Sequence, residues 1–478
     1  MKAIKMQING CAVESTDGST KESINPATGA VLGTYPCATK MDIERTLDAA
    51  QKGKKVWSAM SFNQRAEILL KAADILEAHS EELAILQSQE VGKPIKQSRV
   101  EVANTIALFR SSVAAGKYRF GRVFPNNAAA GELGDLALTV RDPLGVICCI
   151  APFNLPIYTL SFKVAPSLTM GNAVIIKAAS DAALLTLRYA ELLEEAGFPA
   201  GVVQAISGPG GAVTDWLIDT DKINAISFTG STRVGSLLMA KSAPYFHRLL
   251  LELGGNDAVI ICEDADMDRA ITESMGRIAN AGQICCVTKR FLVHNSIRAT
   301  YVEKLVEALK KVKMGDPLDP AMDMGPCVSE SAAKEVEKQI ALTVKQGARL
   351  VYGGTRKGAF IEPTLLDDVK KDMDAAKDME IFGPVFSVIG FESEKEAVEI
   401  ANQSSYGLNA GVISGDLARG IRLASKLEAG TVVANGASRW RRDTAPFGGY
   451  KKSGLGREGI EDILDEVSQR KTLVIKGV

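Results

Sequence analysis

The sequence predicts a multidomain α/β protein built on parallel sheets, and three observations carry that expectation. The chain has 478 residues, more than one ordinary core accommodates, which points to two or three domains. Short β-branched runs alternate with helical periodicity at intervals of roughly 25 to 30 residues, the spacing of β-α-β units with helical crossovers. Composition is that of a globular protein, with 46% hydrophobic and 24% charged residues.

Taken in order, the first hundred or so residues read as helical, with apolar residues three and four apart in MDIERTLDAAQKGKKVW (41–57) and QRAEILLKAADILEAHSEELAILQSQE (64–90). The rhythm then changes. VICCIA (146–151), AVIIK (173–177), VVQAIS (202–207), AISF (225–228) and AVIIC (258–262) read as buried strands of a nucleotide-domain series. A second α/β series follows, with FLVH (291–294), AGVI (410–413) and TVVAN (431–435) as strands and 296–312 and 329–347 as helices. LGDLALTVRDPLG (133–145) and the terminal RKTLVIKGV (470–478) read as unpaired edge strands, and hence as subunit-pairing strands.

Charge and composition exclude several classes. Lys+Arg 56 against Asp+Glu 57 gives a net charge near zero, which argues against a broad electrostatic surface for nucleic acid or anionic membrane, so a small-molecule partner is expected. No stretch approaches the roughly 18 to 20 apolar residues of a spanning helix, and the opening residues lack a signal-peptide core, so the expected location is the cytoplasm. The 8 cysteines form neither a disulfide framework nor a metal knuckle, and the 3 histidines are not spaced as ligands; no metal is expected.

Four segments can carry chemistry. ISFTGSTRVG (226–235) is a strand, a Gly-Ser-Thr turn and a helix, able to receive a phosphate or to be an ordinary capped β-α turn; no full G-x-G-x-x-G occurs. In APFNLP (151–156), Asn154 between two prolines suits an oxyanion donor or a turn former. In LLLELGGND (249–257), Glu252 is a carboxylate in an apolar run, suited to a raised-pKa general base or to a structural ion pair. NAGQICCVTKR (280–290) places Cys285 and Cys286 after a helix stop near Gly282, either as a reactive thiol with its neighbour or as small buried hydrophobes.

Together these segments resemble the aldehyde dehydrogenase superfamily over nearly the whole chain, from INPATG (24–29) to PFGGYKKSGLGREG (446–459). Five motifs stand in the family's order: PFN, FTGST, ELGG, GQIC and EIFGPV (380–385). The resemblance implies a Rossmann-like parallel-sheet cofactor domain (1–122 and 145–252), an α/β catalytic domain (253–452) and a small β-flap for oligomerisation (123–144 and 466–478), in a homodimer or homotetramer.

By the same resemblance, the pattern G-Q-x-C selects Cys285 as the nucleophile, Asn154 as the oxyanion donor and Glu252 as the base that hydrolyses the thioester. A glutamate there implies release of a free acid; members that acylate coenzyme A lack it, and an inactive binding relative would need none of the three residues. Phe153, Gly230, Ser231, Leu253, Glu380 and Phe382 are implied contacts of NAD or NADP, with Lys177 at the adenosine ribose. Ser180 stands where NAD-preferring members have a glutamate, so NADP is expected to be accepted alongside NAD, with the preference between the two left open.

The implied substrate is a small semialdehyde or hydroxyaldehyde, or an apolar or aromatic aldehyde. Phe162 replaces the arginine with which some members hold a carboxylate. Arg439, Arg441 and Arg442 before PFGG offer another anchor or serve solvent or a subunit interface, while Phe162 with Trp440 suits an apolar aldehyde.

Overall fold

A computed structural model describes residues 4–124 and 135–476. Five strands form the parallel core of an eight-stranded sheet, in the spatial order Val203–Ile206, Ala173–Lys177, Val146–Ile150, Ala225–Thr229, Arg248–Glu252. The helices Tyr158–Thr169, Ala183–Glu195, Gly210–Ile218 and Thr232–Ser242 make the crossovers. Helices on both faces bury both sides of each strand, which is why the strands are continuous apolar runs rather than alternating ones. The first strand of the set lies in the middle, so strand order reverses between Val146–Ile150 and Ala225–Thr229. A crevice opens there at the carboxyl ends.

The second sheet has seven strands, in the order Arg349–Tyr352, Thr364–Asp367, Val385–Phe391, Arg290–His294, Ala258–Ile261, Asn409–Ile413, Thr431–Ala434, parallel except for the first. Ala258–Ile261 continues the spacing of the first series yet belongs here. The run Leu253–Asp257 carries the chain out of one sheet and into the other, and spacing along the chain does not register that change of partner.

Two expectations are corrected. The opening stretch is not helical throughout: Met6–Ile8, Cys11–Val13, Thr20–Ile24 and Val31–Pro36 are strands that precede the helix Lys40–Ala59. Asn9 and Gly10 turn the first hairpin with φ of 56° and 75°, the left-handed pair of a type I′ turn. The periodic stretch 64–90 also divides, into Phe62–Ala78 and Ser80–Val91, at His79.

The two orphan edge strands are not unpaired either. Ser468–Lys476 and Asp135–Pro143 pair with each other, antiparallel along their whole length, and Val123–Phe124 adds a short third strand. Partnering within the chain satisfies their inner backbone groups. Among the described residues no strand pairs with the outer side of Ser468–Lys476, and Leu473, Val474 and Ile475 are exposed. Residues 125–134 of the expected flap lie outside the described residues. Among the described residues, no helix is long and apolar enough to cross a membrane, and no group of three His, Cys, Asp or Glu is placed to hold a metal.

Candidate active site

The crevice at the strand reversal continues into a cavity of about 480 Å³. Asn154 follows one central strand, Glu252 ends another, and Cys285 arrives from the second α/β unit; all three stand on its wall. Phe153, Gly230, Ser231, Leu253, Glu380 and Phe382 line the same cavity. The rings of Phe153 and Phe382 meet edge to face at 6.0 Å.

Cys285 is positioned by a strained turn. Beyond the helix Met267–Ser274, Asn280, Ala281 and Gly282 take φ of 48°, 51° and 73°, a left-handed run that is costly for the first two. Gly282 is required: a Cβ there would lie 2.1 Å from the Gly383 carbonyl oxygen. Gln283 staples the turn, its Nε2 donating to Asn280 O at 3.1 Å and its Oε1 accepting from Val328 N at 3.0 Å. Buried Arg277 donates to Gly282 O at 3.2 Å and Val385 O at 3.0 Å. Lys289 donates to the Cys285 carbonyl and pairs with Glu380 at 3.2 Å.

The two thiols face different spaces. Cys285 is half-buried on the first cavity, whereas Cys286 is buried and borders a second cavity of about 730 Å³. They are neighbours in the chain, and the ionisation of each depends on the other. The contact with Cys286 and burial raise the Cys285 pKa well above the ordinary thiol value, while the same contact lowers that of Cys286 to about 7; the Lys289 charge favours the anion of either.

Asn154 is held for donation. Its Nδ2 donates to Gln283 O at 2.9 Å and its Oδ1 accepts from Leu155 N at 3.1 Å, which fixes the amide and leaves the second Nδ2 hydrogen for the cavity. Its own carbonyl accepts from Asn280 Nδ2 at 3.2 Å, tying the donor to the cysteine turn.

Glu252 is buried, and neither carboxylate oxygen has a hydrogen-bond partner among the described residues. Burial and the nearby Glu458 charge push its pKa well above the usual carboxylate range, against the pull of Arg441 and Lys163. Glu458 behaves oppositely. Burial pushes it up, yet Lys163 and Arg441, each 2.7 Å away, hold it below its ordinary value. Two buried carboxyls thus have pKa values driven apart, the pattern in which one stays ionised and the other holds its proton more tightly.

Other expected residues lie elsewhere. Lys177 and Ser180 are outside both cavities; Lys177 Nζ donates to Ala178 O at 2.8 Å and Gly208 O at 3.2 Å, so it is not free, and burial lowers its pKa to about 8. Phe162 lines neither cavity. It is fully buried with the Arg441 guanidinium 4.3 Å over its ring, so it supports the arginine and does not form an aromatic substrate wall. Arg439 and Trp440 border the second cavity, and Arg441 reaches both.

Sequence reading passed over Gln283, Arg277, Lys289, Lys163 and Glu458. One signal was available: Lys163 is the single charge in the otherwise uncharged helix YTLSFKVAPSLT, and a buried cation needs an anion.

A thiol, a fixed amide donor and a carboxyl without a hydrogen-bond partner among the described residues thus stand on one crevice. The Aldehyde dehydrogenase family profile matches residues 12–473. A 3-sulfolactaldehyde dehydrogenase of Priestia aryabhattai is 36% identical over 96% of each chain. A lactaldehyde dehydrogenase of Methanococcus aeolicus is 35% identical over 98% of this chain and 99% of its own. The crystal structure of NADP-dependent glyceraldehyde-3-phosphate dehydrogenase from Bacillus halodurans, complexed with NADP, superposes with TM-score 0.96 at 32% identity, covering 100% of both chains. The chain therefore belongs to the aldehyde dehydrogenase family.

Proposed function

We propose that the protein oxidises a short aldehyde to the free carboxylic acid with NAD or NADP, through a thioester on Cys285. The observation that carries this reading is the convergence of Cys285, Asn154 and an unpartnered Glu252 carboxyl on one cavity. The Cys285 thiolate adds to the aldehyde carbon, and the free Nδ2 hydrogen of Asn154 with the Cys285 backbone N–H stabilises the oxyanion. When bound, the nicotinamide supplies the hydride acceptor that takes the thiohemiacetal to the thioester. Glu252 then accepts a proton from the attacking water, and the tetrahedral adduct collapses to the acid and the Cys285 thiol.

The residues present fit a dinucleotide. The crevice is the ligand-binding end of an open parallel sheet, and the Ser231-capped helix Thr232–Ser242 presents first-turn amides without intrahelical acceptors to a pyrophosphate. A side chain at Gly230 would lie 2.3 Å from the Phe228 ring, so the turn is kept bare where backbone must approach the ligand. Ser180 itself brings no negative charge, which supports acceptance of NADP, although the Asp181 charge acts on Lys177; Lys177 must also release its two carbonyls to meet a phosphate.

Glu252 argues for hydrolysis over transfer to coenzyme A, and the retention of all three residues argues against an inactive relative. Relatives are named for lactaldehyde and 3-sulfolactaldehyde, both short hydroxyaldehydes, which favours that substrate over an apolar or aromatic one. The open edge of Ser468–Lys476 supports assembly as a homo-oligomer. In the deciding experiment, purified protein with NADP and an aldehyde panel forms the free acid, and Cys285→Ala forms none; persistent oxidation in Cys285→Ala refutes the reading.

A further inference from the structure

A buried lysine behind the cavity wall joins two parts of the site. The Lys289 side chain is 2% exposed, and its ammonium donates to the Cys285 carbonyl, lies 3.5 Å from Ile284 O and pairs with Glu380 Oε1 at 3.2 Å. Glu380 stands on the wall of the first cavity, and the same Oε1 accepts from Gly255 N at 3.2 Å. One ammonium thus ties the backbone of the thiol to a carboxylate of the crevice. The frame behind it is fixed. The Lys289 and Arg290 N–H groups both donate to Asp257 O at 3.0 Å, and the buried Arg290 guanidinium donates to the carbonyls of Asn256, Ala376, Ile400 and Ala401.

The charge balance favours the thiol. Lys289 acts on two carboxyls, Glu380 and Asp257, and the Arg277 charge acts on both as well. Burial pushes Asp257 up to about 8 against the pull of Lys289, and its Oδ2 has no hydrogen-bond partner among the described residues. Asp257 therefore keeps its proton near neutrality, which leaves Glu380 as the anion of the pair. Around the thiols, Glu252 opposes the Cys285 anion and Arg441 favours it, while Arg439 acts on Cys286. Burying an ammonium is costly unless its donors find acceptors, and here the acceptors are the reacting residue and the crevice wall.

We propose that Lys289 is a positioning residue for the oxidation step, a clamp that holds Cys285 against the Glu380 wall of the cofactor crevice and adds its positive charge to the surroundings of the thiolate. This rests on the reading of Cys285 as nucleophile. The clamp acts through Glu380 on the cofactor side and through the Cys285 carbonyl on the other, so a change at either end is felt at the opposite one.

The pH dependence of Cys285 alkylation by iodoacetamide, followed at its peptide by mass spectrometry, tests the clamp in the full-length protein. Lys289→Met should move the acid limb up by about one pH unit, the scale of one charge beside a thiol, and Lys289→Arg should restore most of it. Glu380→Gln removes the anion that opposes the ammonium without emptying a buried position, and should move the limb down only while Lys289 is present. In steady-state assays with lactaldehyde, Lys289→Met should raise KM for NADP about tenfold in the wild-type background and much less when Glu380 is already glutamine. A limb unmoved in folded Lys289→Met or, where that variant does not fold, in Glu380→Gln overturns the clamp. So does a KM effect equal in both backgrounds, the mark of a merely structural ion pair. If Cys285→Ala abolishes oxidation while these readouts stay unmoved, only the clamp has failed; if Cys285→Ala still oxidises lactaldehyde, the nucleophile reading has failed with it.

Discussion

Replacing Glu252 by glutamine separates the two halves of the proposed cycle. Glutamine keeps the volume of a side chain that is 6% exposed and removes the one carboxyl on the cavity whose oxygens have no partner. Thioester formation needs Cys285 and Asn154 and should proceed, whereas hydrolysis loses its base. General-base assistance is worth about 10²- to 10⁴-fold, or about 3 to 5 kcal/mol of barrier. Stopped-flow mixing of Glu252→Gln with aldehyde and NADP should therefore show a burst of reduced cofactor close to the concentration of active sites, followed by a steady rate depressed by that factor.

Stability provides an internal control. The folded-state pKa of Glu252 is raised above the ordinary 4.5, so the native state holds this proton more tightly than the unfolded chain. The contribution of the acid form is complete at low pH and is lost as pH rises through the folded-state value. Removing the ionisable group should leave the variant as stable as wild type in acid and more stable above the ordinary glutamate range, with the Tm difference widening as pH rises. An unchanged steady-state rate, or a burst lost together with turnover in a variant of wild-type Tm, refutes the assignment of Glu252 to hydrolysis.

Three further outcomes are expected. Cys286→Ala should still turn over, and without the neighbouring thiol that raises the Cys285 pKa the acid limb of its kcat/KM profile should move down; an unmoved limb removes Cys286 from the ionisation of the pair. Ser180→Glu should lower the NADP-to-NAD ratio of kcat/KM about tenfold, the scale of one added charge repulsion in a partly solvated site, and an unchanged ratio discounts Ser180 as a discriminator. Gly282→Ala sets a Cβ 2.1 Å from Gly383 O at a φ of 73°, and should cost about 1 to 3 kcal/mol of stability with a larger loss of activity; a variant with wild-type Tm and rate contradicts the strained-turn account.

Much of the architecture was legible because its causes are local. Buried parallel strands are uninterrupted apolar runs, and the runs at 146–151, 173–177, 202–207 and 225–228 all became strands of one sheet. The misreadings also have local causes. Asn9-Gly10 between short alternating runs is a hairpin signal, overshadowed by the long helical periodicity that follows it. Sheet membership was not legible for Ala258–Ile261, nor was the mutual pairing of Ser468–Lys476 with Asp135–Pro143, because pairing between residues hundreds of positions apart leaves no periodicity in either strand.

The same division runs through the site. The sequence by itself determined the chemical groups: a thiol after a glycine turn, an amide between prolines and a carboxyl in an apolar run. Only the tertiary structure decided their condition. Glu252 is unpaired while Glu458 is claimed by Lys163 and Arg441, Phe162 lies beneath an arginine, Lys177 is held by carbonyls, and Lys289 is held between the Cys285 carbonyl and Glu380. Charge state and reactivity depend on desolvation and on neighbours within a few ångströms, and those neighbours come from segments that only folding brings together.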